Sequence, residues 1–424
     1  MLQNISKYLN KYIEYVFIFY FFLLSFFPYS AEILKIFCLI CFIFCWILKV
    51  RFEKSKIFTK TSINIPIFAF LLCALVAVLC SFDVQYSIHS FLFDYLILFI
   101  IFFAIVNTLG SMEQIHRIVN AMLIIFGLVC VYGIYGYYMK IAIRNDRLIA
   151  TFDYHSPCAK YISYLLPIVI YLLLSCKEYR TRIYLITLVF VGSFSVVLTQ
   201  NRTSWVAIFI TVLFLLVIAK RRYLIIFVLL VCLLMYFVGS SKYSSHARTI
   251  FQVSQLSTSK SPLGQRLLCW NTSVEIIKDY PFLGIGIGPR IFRNTYQKYA
   301  QEIVNKKNLK IKKIERVSHA HNVFLTIFVE MGILGLISFI WLYVTIFYSA
   351  IKLYKTSRDE RTRNVIMGIV GSLLCIFLHG ATDNFIKKPD VLFLWFIIGI
   401  LFALIQKQDK STTTGESRQL AGRG

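Results

Sequence analysis

Apolar runs of about 17–25 residues alternate with short polar segments along most of the chain, and a run of that length spans the hydrocarbon core of a bilayer. The runs fall at 12–28, 32–50, 62–80, 88–108, 116–138, 157–176, 182–200, 203–219, 222–239, 323–352, 363–383 and 389–406. This pattern predicts an all-α polytopic membrane protein with about 12 transmembrane helices. It is interrupted once, between Gly239 and Asn322, by a long hydrophilic stretch ending in Ser318-His319-Ala320-His321-Asn322. A polar segment this long inside a membrane bundle is functional or disordered, not a mere connection. Within it, Gln265–Lys278 and Arg290–Val304 carry the amphipathic spacing of helices, so the loop is read as folded. The chain thus divides into helices 1–9 (1–238), a large, partly helical loop (239–322), helices 10–12 (323–408) and a polar tail (409–424) expected to be disordered.

Composition sharpens the picture. The 424 residues are 58% hydrophobic and only 15% charged, with a formal charge of +25. Lys7 and Lys11, the Arg51–Lys60 group, Lys177–Arg182, Lys220–Arg222 and Lys352–Arg363 all fall on one side of a twelve-span chain. The positive-inside rule makes that side cytoplasmic. Both termini are then cytoplasmic, and the loop, with 14 Lys/Arg against four acids, lies outside. The charge is read as topology and lipid-phosphate contact; no nucleic-acid module is visible. Of the 11 cysteines, eight lie in apolar runs as small hydrophobes. Cys158 and Cys269 lie in polar or boundary stretches and are not expected to pair. No cleavable signal peptide and no internal repeat stand out.

Several residues then invite a chemical reading. Arg202 sits in the very short external turn Leu198-Thr199-Gln200-Asn201-Arg202, basic on the side where short loops are poor in charge. It reads as an anion-binding group at the membrane surface, in preference to a snorkelling interfacial arginine. The outside loop 139–156, with Lys140, Arg144, Asp146, Arg147, Asp153 and His155, is either a lip of the site or a solvated connection. Arg266, in Gly264-Gln265-Arg266, opens the first loop helix, and free helix-start amides beside a guanidinium suit a phosphate. His319 and His321 share a face only if their segment is extended. A histidine at a membrane–water boundary can take a proton from an alcohol. No Cys or carboxylate is near them in sequence, so neither metal nor cofactor is expected. There is no Walker A sequence and no Asp-x-Asp pair. The run Gly284-Ile285-Gly286-Ile287-Gly288-Pro289 lacks the dinucleotide spacing and reads as a tight turn.

Taken in order, these stretches resemble a family. His321-Asn322, nine residues, Gly332 and then Gly335 resembles the His-Asn-x9-Gly-x-x-Gly signature of bacterial O-antigen ligases. Thr199-Gln200-Asn201-Arg202 is similar to the family's Thr-Gln-x-Arg turn, and Gly264-Gln265-Arg266 to its Gly-x-Arg motif. Pro281-Phe282-Leu283-Gly284-Ile285-Gly286 is similar to the Pro-x-x-Gly-x-Gly turn of the wider ligase and polymerase superfamily. Where that superfamily often has Pro-Asn, this chain has Tyr154-His155-Ser156-Pro157, and no role is carried onto it.

The resemblance implies a GT-C-like architecture and glycan transfer at the periplasmic face of an inner membrane. The donor would be O-antigen on undecaprenyl diphosphate, and the acceptor a sugar hydroxyl of lipid A-core. His321 would be the base, and Arg202 and Arg266 would hold the diphosphate. His319, Asn322, Arg290 and Asp383 are supporting candidates. Asp383, near the outer end of the eleventh span, either orients a histidine, pairs an arginine or is a solvated helix-end carboxylate. Membrane lipids, and the proteins of O-antigen export and polymerisation, are the expected company. An O-antigen polymerase is the nearest alternative. A lipid or glycan transporter is a more distant one, since transport predicts charges near the midplane of the spans.

Overall fold

A computed structural model describes residues 2–30, 32–52, 59–221, 224–226, 262–306, 314–384 and 390–421. The described chain is almost wholly helical. In order it forms α1 (Leu2–Phe26), α2 (Glu32–Phe52), α3 (Asn64–Leu79), α4 (Val84–Thr108) and α5 (Met112–Tyr138). A two-stranded hairpin follows, β1 (Ile143–Arg144) and β2 (Arg147–Leu148). Then come α6 (His155–Ser175), α7 (Tyr179–Thr199), α8 (Arg202–Ile218), α9 (Pro262–Asp279), α10 (Pro289–Lys306), α11 (Val323–Thr356), α12 (Glu360–Gly380) and α13 (Asp390–Ala421). Among the described residues nine helices are long and apolar enough to cross a membrane, and α3 and α8 are shorter apolar helices. These match eleven of the expected spans in place; the expected span 222–239 lies largely outside the described residues.

Local chemistry sets the helix starts. Ser111 caps α5 by accepting from the Gln114 amide, and Gln114 Oε1 accepts from Gly110 N just before the cap. Asn201 caps α8 through Ser204 N, and Asp359 caps α12 through Thr362 N. The loop helices α9 and α10 begin with Pro262 and Pro289, where a missing amide costs nothing. Along α2 the residues Ile33, Phe37, Ile40, Phe44 and Ile47 repeat every three or four positions and are all exposed, a stripe suited to lipid. The stretch from 409, expected to be disordered, instead continues α13 as far as Ala421. Extending a helix that the apolar span has already nucleated costs far less than starting one.

Two cores hold the molecule. The larger joins the spans, with α6 packed most extensively on α12 and α13 on α4. The smaller belongs to the loop: Cys269, Ile276, Ile285, Ile291, Phe292 and Tyr296 close over Ala320 and Val329. Val329 lies in α11, so this core is anchored in a membrane helix.

That anchor is a break in α11. Gly332 has φ +68°, outside helical space, and interrupts the hydrogen-bond ladder. The Pro281–Gly286 turn supplies replacement partners. Ile285 N donates to Val329 O at 2.9 Å, Gly286 N to Glu330 O at 3.1 Å, and Ile333 N to Pro281 O at 2.8 Å. A Cβ on Gly332 would collide with the Phe282 carbonyl, and one on Gly284 would lie 2.6 Å from the Glu330 oxygen. The glycine-rich turn and the Gly332 position of the signature are therefore two halves of one backbone joint.

Candidate active site

The segment between the loop and α11 is extended, and its residues are fixed one by one. Ala320 is fully buried, and its amide donates to Thr326 Oγ1 at 3.2 Å. His321 takes a left-handed conformation (φ +49°) that turns the chain into the helix. Asn322 Oδ1 then caps α11 through the amides of Phe324 and Leu325. Its Nδ2 donates to Ala381 O at 2.9 Å, tying the start of α11 to the end of α12. On the other side Cys269 Sγ of α9 donates to His319 O at 3.6 Å. Burial pushes the Cys269 thiol up to about 12, so it is an inert packing group.

This geometry puts both imidazoles on one side, with ring centroids 4.4 Å apart. Asp383 faces them just beyond α12. Its Oδ1 lies 3.5 Å from His321 Nδ1 and 3.6 Å from His319 Nε2, and accepts from Asn384 N at 2.8 Å. Its Oδ2 is paired with Lys160 Nζ of α6 at 2.9 Å and is approached by Ser156 Oγ at 3.4 Å. Burial pushes the Asp383 carboxyl up, but the Lys160 ammonium and the two histidines outweigh it and hold it well below the usual carboxylate range. Lys160 itself is 5% exposed and also donates to Asn384 O at 3.1 Å.

The two histidines are not equivalent. The His319 side chain is 14% exposed and that of His321 is 31% exposed, so His321 is the more accessible of the two. An imidazole whose Nδ1 faces a carboxylate carries its proton there and presents a basic Nε2 on the far side. The Nδ1–Oδ1 separation is at the long limit of a hydrogen bond.

Arg266 lies in α9 one turn before Cys269, whose thiol meets the His319 carbonyl, and is half-buried. Arg202 opens α8, which packs against α6 and α12, the two helices that carry Lys160 and lead to Asp383. Among the described residues neither guanidinium forms a side-chain hydrogen bond or ion pair. Arg290 does: it pairs with Asp83, the N-cap of α4, and stacks 4.2 Å over the Tyr86 ring. It thus stands as a strut between α10 and α4, and among the described residues no contact joins it to the histidine cluster.

Three ligand-type atoms, one each from His319, His321 and Asp383, lie within 4.8 Å of one another, a spacing that would suit a divalent cation. The same carboxylate already carries the Lys160 ammonium, which supplies positive charge from the protein itself. Cys158 and Cys269 are both free and buried.

Sequence reasoning missed Lys160 and Ser156. The signal for Lys160 was available: it is a lone cation at the edge of an apolar run, and such residues are paired or functional. It also missed the hairpin at 143–148, whose Asn145-Asp146 turn has φ of +52° and +57° at its two positions.

Comparison with curated proteins gives no match. Residues 186–340 match the family described as O-antigen ligase. That span takes in the Arg202 turn, Arg266, both histidines and the Gly332 joint, although Lys160 and Asp383 lie beyond it. Over that stretch the chain is similar to the O-antigen ligase family.

Proposed function

We propose that the protein transfers O-antigen polysaccharide from undecaprenyl diphosphate to a sugar hydroxyl of lipid A-core, at the periplasmic face of the inner membrane. The observation that carries this reading is the His321–Asp383 pair, with an ionised carboxylate behind the imidazole and its other nitrogen open. His321 Nε2 accepts the proton of the acceptor hydroxyl as that oxygen attacks the anomeric carbon. The bond from that carbon to the diphosphate oxygen breaks, and the departing diphosphate gains negative charge. Arg202 and Arg266, which pair with no carboxylate among the described residues, receive it. The new glycosidic bond forms on the face opposite the leaving group, so the anomeric centre inverts. Asp383 stabilises the imidazolium and Lys160 keeps that carboxylate ionised. The lipid diphosphate is already an activated leaving group, so the reaction calls for neither ATP nor a metal.

The test is a lipopolysaccharide gel from a strain lacking the protein, complemented with wild type or His321→Ala, beside analysis of the undecaprenyl-linked pool. The expected result is bare lipid A-core with full-length chains held on the carrier lipid, restored by wild type alone. Core capped by a single repeat would make the protein a polymerase. A full ladder with His321→Ala would remove the base from this role.

A further inference from the structure

We infer that the hairpin 143–148 presents Arg144 and Arg147 as an anion-binding subsite for a phosphate group on one of the two lipid-linked glycans. This rests on the transfer reaction proposed above.

The first observation is the register. Arg144 and Arg147 are direct cross-strand partners flanking a two-residue turn, so both side chains project from the same face. Like charges placed opposite one another destabilise a hairpin. A bound anion turns that repulsion into a clamp, because two guanidiniums then share one phosphate.

The second is their company. Each is held by neutral groups. Arg144 lies 4.2 Å over the Tyr154 ring and donates to Asp153 O at 3.3 Å, and Arg147 Nη1 is 3.0 Å from His155 Nε2. Among the described residues neither forms an ion pair. Elsewhere Arg117 pairs with Glu14 and Arg290 with Asp83.

The third is how firmly the hairpin is seated. Leu148 is fully buried, and Ala142 and Ala150 sit against Gly136 and Gly133 of α5 so closely that a Cβ on either glycine would collide. Gln200 Nε2 donates to Asp146 O at 3.1 Å, joining the hairpin tip to the turn that carries Arg202. In the other direction the chain runs through His155 to Ser156, which reaches Asp383. The arginine pair is therefore a rigid outwork of the active site. Both substrates are anionic lipids, and two cations beyond Arg202 and Arg266 allow a second phosphate to be held while the first departs.

The test measures binding to the purified full-length protein in detergent, so it does not depend on turnover. One arm uses a short polyprenyl diphosphate; the other uses phosphorylated lipid A-core beside its phosphatase-treated form. Arg144→Gln/Arg147→Gln is expected to weaken one arm by about ten-fold or more, the loss of roughly one charge-assisted hydrogen bond. The Lys/Lys double variant should retain most of the affinity. Weakening of the diphosphate arm assigns the subsite to the donor, and weakening confined to phosphorylated core assigns it to the acceptor. Arg147→Glu guards against misfolding, because the new carboxylate would pair with Arg144 across the hairpin. It should keep or raise the thermal midpoint while losing the anion. Unchanged affinity in both arms for the Gln/Gln and Arg147→Glu proteins would overturn the inference, whatever the enzyme proves to transfer.

Discussion

Replacing Lys160 by Met removes the cation that holds the Asp383 carboxylate. The two charges lie 2.9 Å apart, with the lysine side chain 6% and the aspartate side chain 17% exposed. Deleting one partner of a buried pair costs about 3–5 kcal/mol when the other charge stays uncompensated. Asp383 keeps Asn384 N and the histidines, so the lower end of that range, about 3 kcal/mol, is expected. The carboxyl also titrates differently. In the wild type its depressed value adds stability that is fully present above the ordinary carboxylate value of about 3.9, and is lost only as pH falls through the lower folded value. Without Lys160, burial pushes the carboxyl up, and that loss begins at higher pH. Thermal midpoints and transfer rates should be measured in detergent across pH 4–9, a range chosen around the ordinary carboxylate and histidine values of about 3.9 and 6.5. Lys160→Met should melt several degrees lower, and the acidic limb of its rate profile should move upward. Lys160→Arg should restore both. Lys160→Met/Asp383→Asn should lose less stability than the two single changes summed, because the second change removes the stranded charge. A Lys160→Met protein with wild-type midpoint and profile would refute the pairing as a source of stability and of carboxylate ionisation.

Other outcomes follow from the same geometry. His321→Ala should lower transfer by about 10²–10⁴-fold with the fold intact by thermal melting, whereas His319→Ala should cost less, since its side chain is the more enclosed. Arg202→Gln and Arg266→Gln should each weaken binding of a polyprenyl diphosphate, and Lys at either position should rescue only in part because it lacks the guanidinium fork. Gly332→Ala should destabilise the protein by at least about 1–2 kcal/mol from the positive φ alone, with the Phe282 carbonyl collision added, seen as a lowered thermal midpoint. Cys269, with its thiol pushed up to about 12, should stay unlabelled by a maleimide at pH 8 until the protein is denatured, while exposed Cys80 labels in the folded state.

Much of the architecture was legible because it rests on periodicity. Apolar runs give helices wherever they are long enough, and capping residues such as Ser111, Asn201 and Asn322 mark their starts. Arg202 and His321 were visible because each places a polar group at the boundary of an apolar run. Asp383 was visible for the same reason, and a histidine was among its expected partners, but Lys160 was not, since it meets the carboxylate only when α6 and α12 converge. Arg290 carries the residue type of a phosphate ligand, yet its guanidinium is engaged by Asp83, a contact between distant segments that no spacing encodes. The α11 joint was legible only as glycines, because its contacts are backbone to backbone and leave no side-chain pattern.

That joint also bears on how the molecule is made. The Pro281–Gly286 turn is synthesised well before Gly332, yet its amides find their carbonyl partners only on α11. The loop therefore cannot finish folding as it leaves the ribosome. It must wait until α11 has been threaded into the bilayer, and the same closing step sets the end of the loop against the start of the helix that His321 precedes. Assembly of the candidate site is thereby coupled to completed membrane insertion, and a chain truncated before α11 would carry the loop sequence without its fold.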